Sequence, residues 1–216
     1  MKIFISQNFS IIKSYKEKIN YLSCEWSNFF AKKRPDIKLI PIPNDPKVVE
    51  NYFNFFNPDG LVLSNGNDIE EYSDRDKTEF KLVNKFLEKK KPIFGICRGL
   101  QFLNYFFNSH IPKELNEKIK KNHVNKIHQL KICDKKFDFF NRKTINVNSF
   151  HNKGVLNENV AKNFKVFALS EDGVVEGIYD SKKKIYGIQW HIERKSPDQS
   201  YNLKLLNEIF KKKTNS

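Results

Sequence analysis

Pro92-Ile93-Phe94-Gly95-Ile96-Cys97-Arg98-Gly99-Leu100-Gln101 is an apolar run that stops at a cysteine, followed two residues later by a glycine and then by a second apolar run. This is the layout of a nucleophile elbow, a strand that turns sharply into a helix and lifts the apical side chain clear of the backbone. The positive end of the following helix favours thiolate over thiol at Cys97. Gly95 and Gly99 leave room for the turn. The same strand-then-helix alternation repeats upstream. Strands are expected at 2–6, 37–42, 60–64 and 92–96, and helices at about 14–33, 47–56, 75–90 and 98–108. Such alternation predicts an α/β fold with a mostly parallel central sheet and helices on both faces, and Cys97 at the carboxyl edge of a central strand, where ligands bind in such folds.

Past residue 125 the pattern changes. The strand-like runs Gln129–Cys133, Thr144–Asn148, Lys165–Ser170, Val174–Tyr179 and Lys184–Trp190, joined by short turns such as Asp172-Gly173, predict a smaller antiparallel section. That section would carry His191 back to Cys97. A final helix is expected around Tyr201–Phe210, with Ser196 as its cap, Pro197 in its first turn and Asp198 near its positive end. No internal repeat, linker or low-complexity stretch interrupts the chain, so one domain over residues 1–216 is the economical reading.

Lys184-Ile185-Tyr186-Gly187-Ile188-Gln189-Trp190-His191-Ile192-Glu193 ends in a histidine with a carboxylate two residues on. A thiol nucleophile needs a base, and the base needs an acceptor to fix its tautomer and stabilise the imidazolium. Cys97, His191 and Glu193 supply those three roles. A third segment, Asp59-Gly60-Leu61-Val62-Leu63-Ser64-Asn65-Gly66-Asn67-Asp68, runs from an apolar strand into a loop of the kind that can aim backbone N–H groups at a developing negative charge.

These three ordered motifs, spread over nearly the whole chain, resemble the class I glutamine amidotransferase superfamily. Arg98 after the cysteine, together with Val147-Asn148-Ser149-Phe150-His151, is most similar to its stand-alone γ-glutamyl hydrolase branch. The resemblance implies a flavodoxin-like amidotransferase fold and an amidohydrolase that needs no cofactor and no metal. It further implies an oxyanion hole from the backbone N–H groups near Gly66 and at Arg98. Gln101 is expected to contact a bound γ-glutamyl group, and Asn148, Ser149, Phe150 and His151 to line the γ-glutamyl pocket. Two positions depart from the pattern. Asn65-Gly66-Asn67 stands where the family usually has adjacent glycines, which leaves open which amide faces the oxyanion. Ile192 stands where proline is common, which bears on loop rigidity.

Net charge is +14, yet the lysines are scattered over runs such as Lys32-Lys33-Arg34, Lys89-Lys90-Lys91, Lys120-Lys121, Lys182-Lys183-Lys184 and Lys211-Lys212-Lys213, alongside abundant Asn, Ile and Phe. That dispersal argues against a nucleic-acid groove, but a basic surface can steer an anionic small substrate. Likeness in size and charge to hydrolases that free cytidine diphosphoramidate from a γ-glutamyl adduct makes a nucleotide-linked leaving group the first expectation. A glutaminase subunit feeding ammonia to a separate synthetase, a hydrolase of γ-glutamyl polyamine or amino-acid conjugates, and a non-catalytic scaffold are the alternatives. The three cysteines, Cys24, Cys97 and Cys133, form no disulfide framework, and Cys24 and Cys133 are expected to be inert packing residues. The N-terminus opens on a strand-like run and no apolar stretch approaches the ~20 residues that span a bilayer, so a reducing cytoplasm is expected. His123 and His128, with His110 or His151 nearby in sequence, match no recognised zinc spacing, and no metal is expected there.

Overall fold

A computed structural model describes residues 1–211; Lys212 and Lys213 of the last basic run lie outside the described residues. The chain opens with β1 (Lys2–Ser6), β2 (Asn8–Ile12) and β3 (Glu17–Tyr21), then α1 (Cys24–Lys33), β4 (Lys38–Ile42), α2 (Val49–Phe56) and β5 (Gly60–Leu63). It continues with α3 (Ser73–Glu88), β6 (Ile93–Ile96), α4 (Arg98–Asn108), β7 (Lys113–Glu114), α5 (Glu117–Lys120) and β8 (Val124–Ile132). The last elements are β9 (Thr144–Phe150), β10 (Lys153–Gly154), β11 (Lys165–Ser170), β12 (Val175–Asp180), β13 (Ile185–Ile188) and α6 (Gln199–Ile209).

Nine strands form one sheet in the order β4-β1-β5-β6-β13-β12-β11-β8-β9. From β4 to β13 every pairing is parallel, and from β13 outward to β9 every pairing is antiparallel. The central parallel strands β5 and β6 are short and buried on both faces, as sheets covered by helices on each side require. Side chains of the parallel strands alternate between two cores. Ile3, Ile5, Val62 and Phe94 pack with Trp26 and Phe30 of α1 and Leu205 and Leu206 of α6. Phe4, Leu61, Leu63 and Ile93 pack on the other face with Phe53 of α2, Leu82 and Phe86 of α3, and Leu100 and Leu103 of α4. Among the described residues no helix is long and apolar enough to cross a membrane.

Three expectations are corrected. The helix expected over 14–33 starts only at Cys24, because residues 8–21 form the β2–β3 hairpin instead. Its Lys- and Glu-rich return strand looks helical by composition, but Lys16 takes a positive φ of 55° at the turn, and Asn44 ties the hairpin down. The Asn44 amide donates to Asn20 Oδ1 at 2.8 Å and to the Gln7 carbonyl at 3.1 Å. At the other end of the chain, Ser196 and Pro197 precede α6 rather than opening it, and Asp198 occupies the cap position without making a capping bond. Its carboxylate is engaged elsewhere, accepting from the Asn146 N–H and from Arg142, each at 2.7 Å. Cys24 and Cys133 are exposed and so are not packing residues.

Candidate active site

Cys97 joins β6 to α4 with φ 54° and ψ −108°, a conformation that L-residues rarely adopt and that typically costs on the order of 1–3 kcal/mol. The two flanking glycines are required by close backbone approach. A Cβ on Gly95 would lie 2.4 Å from the Gly99 carbonyl oxygen, and one on Gly99 would lie 2.2 Å from the Leu63 carbonyl oxygen. Helix α4 can therefore seat directly against the ends of β5 and β6 only with glycine at both positions. The strained cysteine is held from the sheet side, since its N–H donates to the Ile188 carbonyl at 2.8 Å. A side-chain relay reaches the sulfur: Gln189 Nε2 donates to Cys97 Sγ at 3.5 Å, and Gln101 Nε2 donates to Gln189 Oε1 at 3.3 Å.

β13 lies parallel to β6 with Ile188 opposite Ile96, so the chain that leaves β13 arrives beside the elbow. His191 and Glu193 are both buried, and His191 Nδ1 meets Glu193 Oε1 at 2.7 Å. Nε2, the other ring nitrogen, has no protein hydrogen-bond partner. Burial works against a charged ring, but the Glu193 carboxylate and Cys97 together outweigh it and push the His191 pKa up to about 10. The direction favours the protonated ring. Loop rigidity does not depend on proline here. Ile192 is fully buried, and Asn148 grips the segment by accepting from the His191 N–H at 2.9 Å and donating to the carbonyls of His191 at 2.8 Å and Lys195 at 3.0 Å.

Gly66 borders the same cavity of about 180 Å³ as Cys97 and Arg98, with φ 108° and the Asn8 side chain occupying the space a Cβ would need. Its peptide is oriented from behind by Arg75, whose guanidinium donates to the Asn65 carbonyl at 2.9 Å, the Ser64 carbonyl at 3.2 Å and Asn8 Oδ1 at 2.7 Å. In a trans peptide the C=O and N–H point in opposite directions, so drawing the Asn65 carbonyl toward Arg75 turns the Gly66 N–H away from it. Arg98, as the first residue of α4, has an N–H with no carbonyl one turn back to receive it. Its side chain runs the other way, to Asp76 and Glu79.

Arg75, Asp76, Glu79 and Arg98 thus form a buried ionic cluster beneath the loop. Burial lowers the Arg75 pKa to about 10, with the neighbouring Arg98 charge acting in the same direction; Glu79 is held below its ordinary value because the two arginines overcome its burial. Sequence reading missed this cluster. The signal was present, since Arg75 and Glu79 lie on the same stripe of α3 as the buried Leu82, Val83 and Phe86, where charges are out of place unless paired.

Of the expected binding residues, Gln101 and His151 line the cavity and Phe150 stands at its rim. Asn148 is engaged with the His191 loop, and Ser149, fully buried, donates to the His123 carbonyl at 2.7 Å. Strand alternation puts Ser149 on the opposite face of β9 from Asn148 and Phe150, and the hydrogen bonds of Asn148 to the His191 loop hold it back from the cavity. His110 lies past the far end of α4. His123, His128 and Glu176 converge, with their ligand atoms within 4.8 Å of one another, so among the described residues these are the side chains that could hold a metal ion. The cluster is also internally paired: His123 contacts Asp172 at 3.0 Å, His151 at 3.1 Å and Glu176 at 3.4 Å. Those carboxylates outweigh burial and raise the His123 pKa, while the histidines hold Glu176 well below the carboxylate range.

The chain is 32% identical to the gamma-glutamyl-CDP-amidate hydrolase of Campylobacter jejuni over 97% of its own length and 98% of that protein's. Its fold matches a glutamine amidotransferase from Thermotoga maritima, with a TM-score of 0.65, 17% identity and 96% and 82% of the two chains covered. The glutaminase domain of Trypanosoma brucei CTPS, solved with bound acivicin, matches with a TM-score of 0.69 at 14% identity, covering 98% and 94%. The sequence profile of Peptidase C26 spans residues 7–193, which contain the elbow, the Gly66 loop and the His191–Glu193 pair. The chain belongs to the Peptidase C26 family of cysteine-dependent amidohydrolases.

Proposed function

We propose that this chain is a single-domain, cytoplasmic γ-glutamyl amidohydrolase with a Cys97-His191-Glu193 triad, and that its substrate is γ-glutamyl-CDP-amidate. The observation that carries the reading is the convergence of the strained Cys97 and the Glu193-bound His191 on one small cavity. The near full-length likeness to a hydrolase of that substrate supports the choice of leaving group. The Cys97 sulfur attacks the γ-carbonyl carbon, and the backbone N–H groups of Gly66 and Arg98 receive the oxyanion. His191 gives its Nε2 proton to the departing nitrogen as the C–N bond breaks, leaving a γ-glutamyl thioester and free cytidine diphosphoramidate. Neutral His191 then takes a proton from water, whose oxygen attacks the thioester carbon. The C–S bond breaks, glutamate leaves and the thiolate is restored. Glu193 holds Nδ1–H throughout and stabilises the imidazolium.

The test is glutamate release from synthetic γ-glutamyl-CDP-amidate by the purified chain alone, with rapid quench and mass analysis of the intact protein. Turnover with a γ-glutamyl adduct on the peptide containing Cys97 is expected. Turnover without any such adduct in the wild type, or undiminished turnover in Cys97→Ala, would refute the thioester route.

A further inference from the structure

Bond breaking fixes which side of the site the leaving group occupies. With the γ-carbonyl carbon on Cys97 and its oxygen toward Gly66 and Arg98, the departing nitrogen must face His191, and whatever it carries extends beyond that ring. What lies there is Phe150, edge-on to His191 with ring centroids 5.7 Å apart and 37% exposed. Phe150 borders two cavities, the catalytic one of about 180 Å³ and a neighbour of about 490 Å³ at the open end of the β8–β9 pair. The smaller suits an amino-acid moiety. Only the larger falls in the roughly 300–1,000 Å³ range of ligand-sized pockets.

The second cavity has a distinct chemistry. Its lining includes Lys126 and Lys195 and no carboxylate. Among the described residues neither ammonium has a hydrogen-bond or ion-pair partner. The Ser196 hydroxyl is buried there with no partner. Ile127, 65% exposed, supplies an apolar wall, and the Arg194 guanidinium sits 4.5 Å over the Phe150 ring at the junction between the cavities. Lysines act as point charges for phosphate, and an aromatic face with a guanidinium offers a surface on which a flat base stacks. A polyamine or other cationic leaving group would be repelled by the same three cations.

We propose that this cavity, entered past Phe150, binds the nucleoside-diphosphate portion of the leaving group, with Lys126 and Lys195 on the phosphates and Phe150 and Ile127 against the apolar part. The assignment rests on the γ-glutamyl reading above and adds the site of the leaving group to it.

The experiment compares wild type, Lys126→Gln/Lys195→Gln and Phe150→Ala on γ-glutamyl-CDP-amidate and on γ-glutamyl-p-nitroanilide, with free CDP as a competing ligand. The lysine changes are on the surface and leave the core intact. Wild type is expected to be inhibited by CDP, and the double variant to lose about tenfold or more of the ratio of the two kcat/KM values together with CDP inhibition. Phe150→Ala should lower the same ratio. If the double variant keeps both the ratio and the CDP inhibition, the nucleotide binds elsewhere and the site assignment fails while the γ-glutamyl-CDP-amidate reading stands. If wild type hydrolyses the anilide but neither turns over the nucleotide substrate nor responds to CDP, the substrate reading itself fails, and the site assignment with it.

Discussion

The two halves of the sheet are built to different standards. On the parallel side, β5 and β6 are buried at every position and end at backbone contacts that tolerate only glycine at 95 and 99. On the antiparallel side, β8 is largely exposed, and β9 ends at the exposed Phe150. In the proposed mechanism, the chemistry that depends on a strained cysteine and a fixed peptide is lodged in the half with the tighter packing. The contacts proposed for the leaving group lie in the half whose exposed side chains can change without disturbing the core. Changes in the parallel half should therefore abolish turnover for every substrate, whereas changes at the β8–β9 end should change preference among substrates.

The strongest challenge to that division is Cys97→Ala, which should lower kcat/KM by roughly 10⁴-fold or more on any γ-glutamyl amide. Cys24→Ala and Cys133→Ala should leave it unchanged, both side chains being exposed and neither lining the cavity. Steady-state kinetics on two unrelated leaving groups would decide, and a large loss confined to one of them would break the comparison.

His191 comes next. His191→Ala should cost roughly 10³-fold or more, and Glu193→Gln less, because an amide can still orient the ring. The pH profile carries the sharper test. Since the proposed mechanism needs His191 protonated to release the nitrogen and its pKa is pushed up to about 10, kcat/KM should hold across neutral pH and fall only as pH approaches 10. In Glu193→Gln the charge that raises the pKa is gone, and the basic limb should move toward the ordinary histidine value of 6.5. Stability follows the same sign. The folded ring binds its proton more tightly than the unfolded one, so its contribution is complete below about 6.5 and is lost as pH rises toward 10. A basic limb unmoved by Glu193→Gln would mean that another group sets it.

Arg75 probes the parallel half from behind. Arg75→Met leaves Glu79 under-neutralised and fully buried, which should destabilise the chain by about 3–5 kcal/mol in urea unfolding. It should also release the Asn65–Gly66 peptide and lower kcat by roughly 10²-fold, the typical loss for one oxyanion donor, with KM little changed. A purely structural role would leave kcat per folded molecule at the wild-type value. Arg75→Met/Glu79→Met, which removes the buried charge imbalance, keeps the question open to measurement if the single variant does not fold.

How much of this was legible in the sequence follows from how local each signal is. The elbow, the parallel strands and the His191–Glu193 pair are written in contiguous residues, because strand periodicity and the glycines that permit a tight turn are short-range features. The β2–β3 hairpin was not legible, since its return strand Glu17–Tyr21 is held in place through Asn20 by Asn44, more than twenty positions downstream. Nor was the buried support of the Gly66 loop, where Arg75 holds the Ser64 and Asn65 carbonyls and Asn8 beside Arg98. Asn148 and Ser149 read alike in sequence, and only the pleat separates the residue that grips the His191 loop from the one that faces His123.

The smallest expected effect separates the β8–β9 end from the charge of the molecule as a whole. A net charge of +14 spread over the surface attracts any anion, and salt screens that field over a Debye length of about 8–10 Å at physiological ionic strength. For a nucleotide-linked substrate, kcat/KM should fall several-fold between low and physiological salt as steering is lost, and a neutral γ-glutamyl amide should show a flat profile. In Lys126→Gln/Lys195→Gln the formal charge falls from +14 to +12, a small change in the overall field. If steering is global, the salt slope of the double variant stays near that of wild type and only its intercept drops. If the two lysines dominate the approach as well as the binding, the slope flattens with the intercept. Flat profiles for both substrates in the wild type would reduce the charge to compositional background, and leaving-group selection would then rest on contact alone.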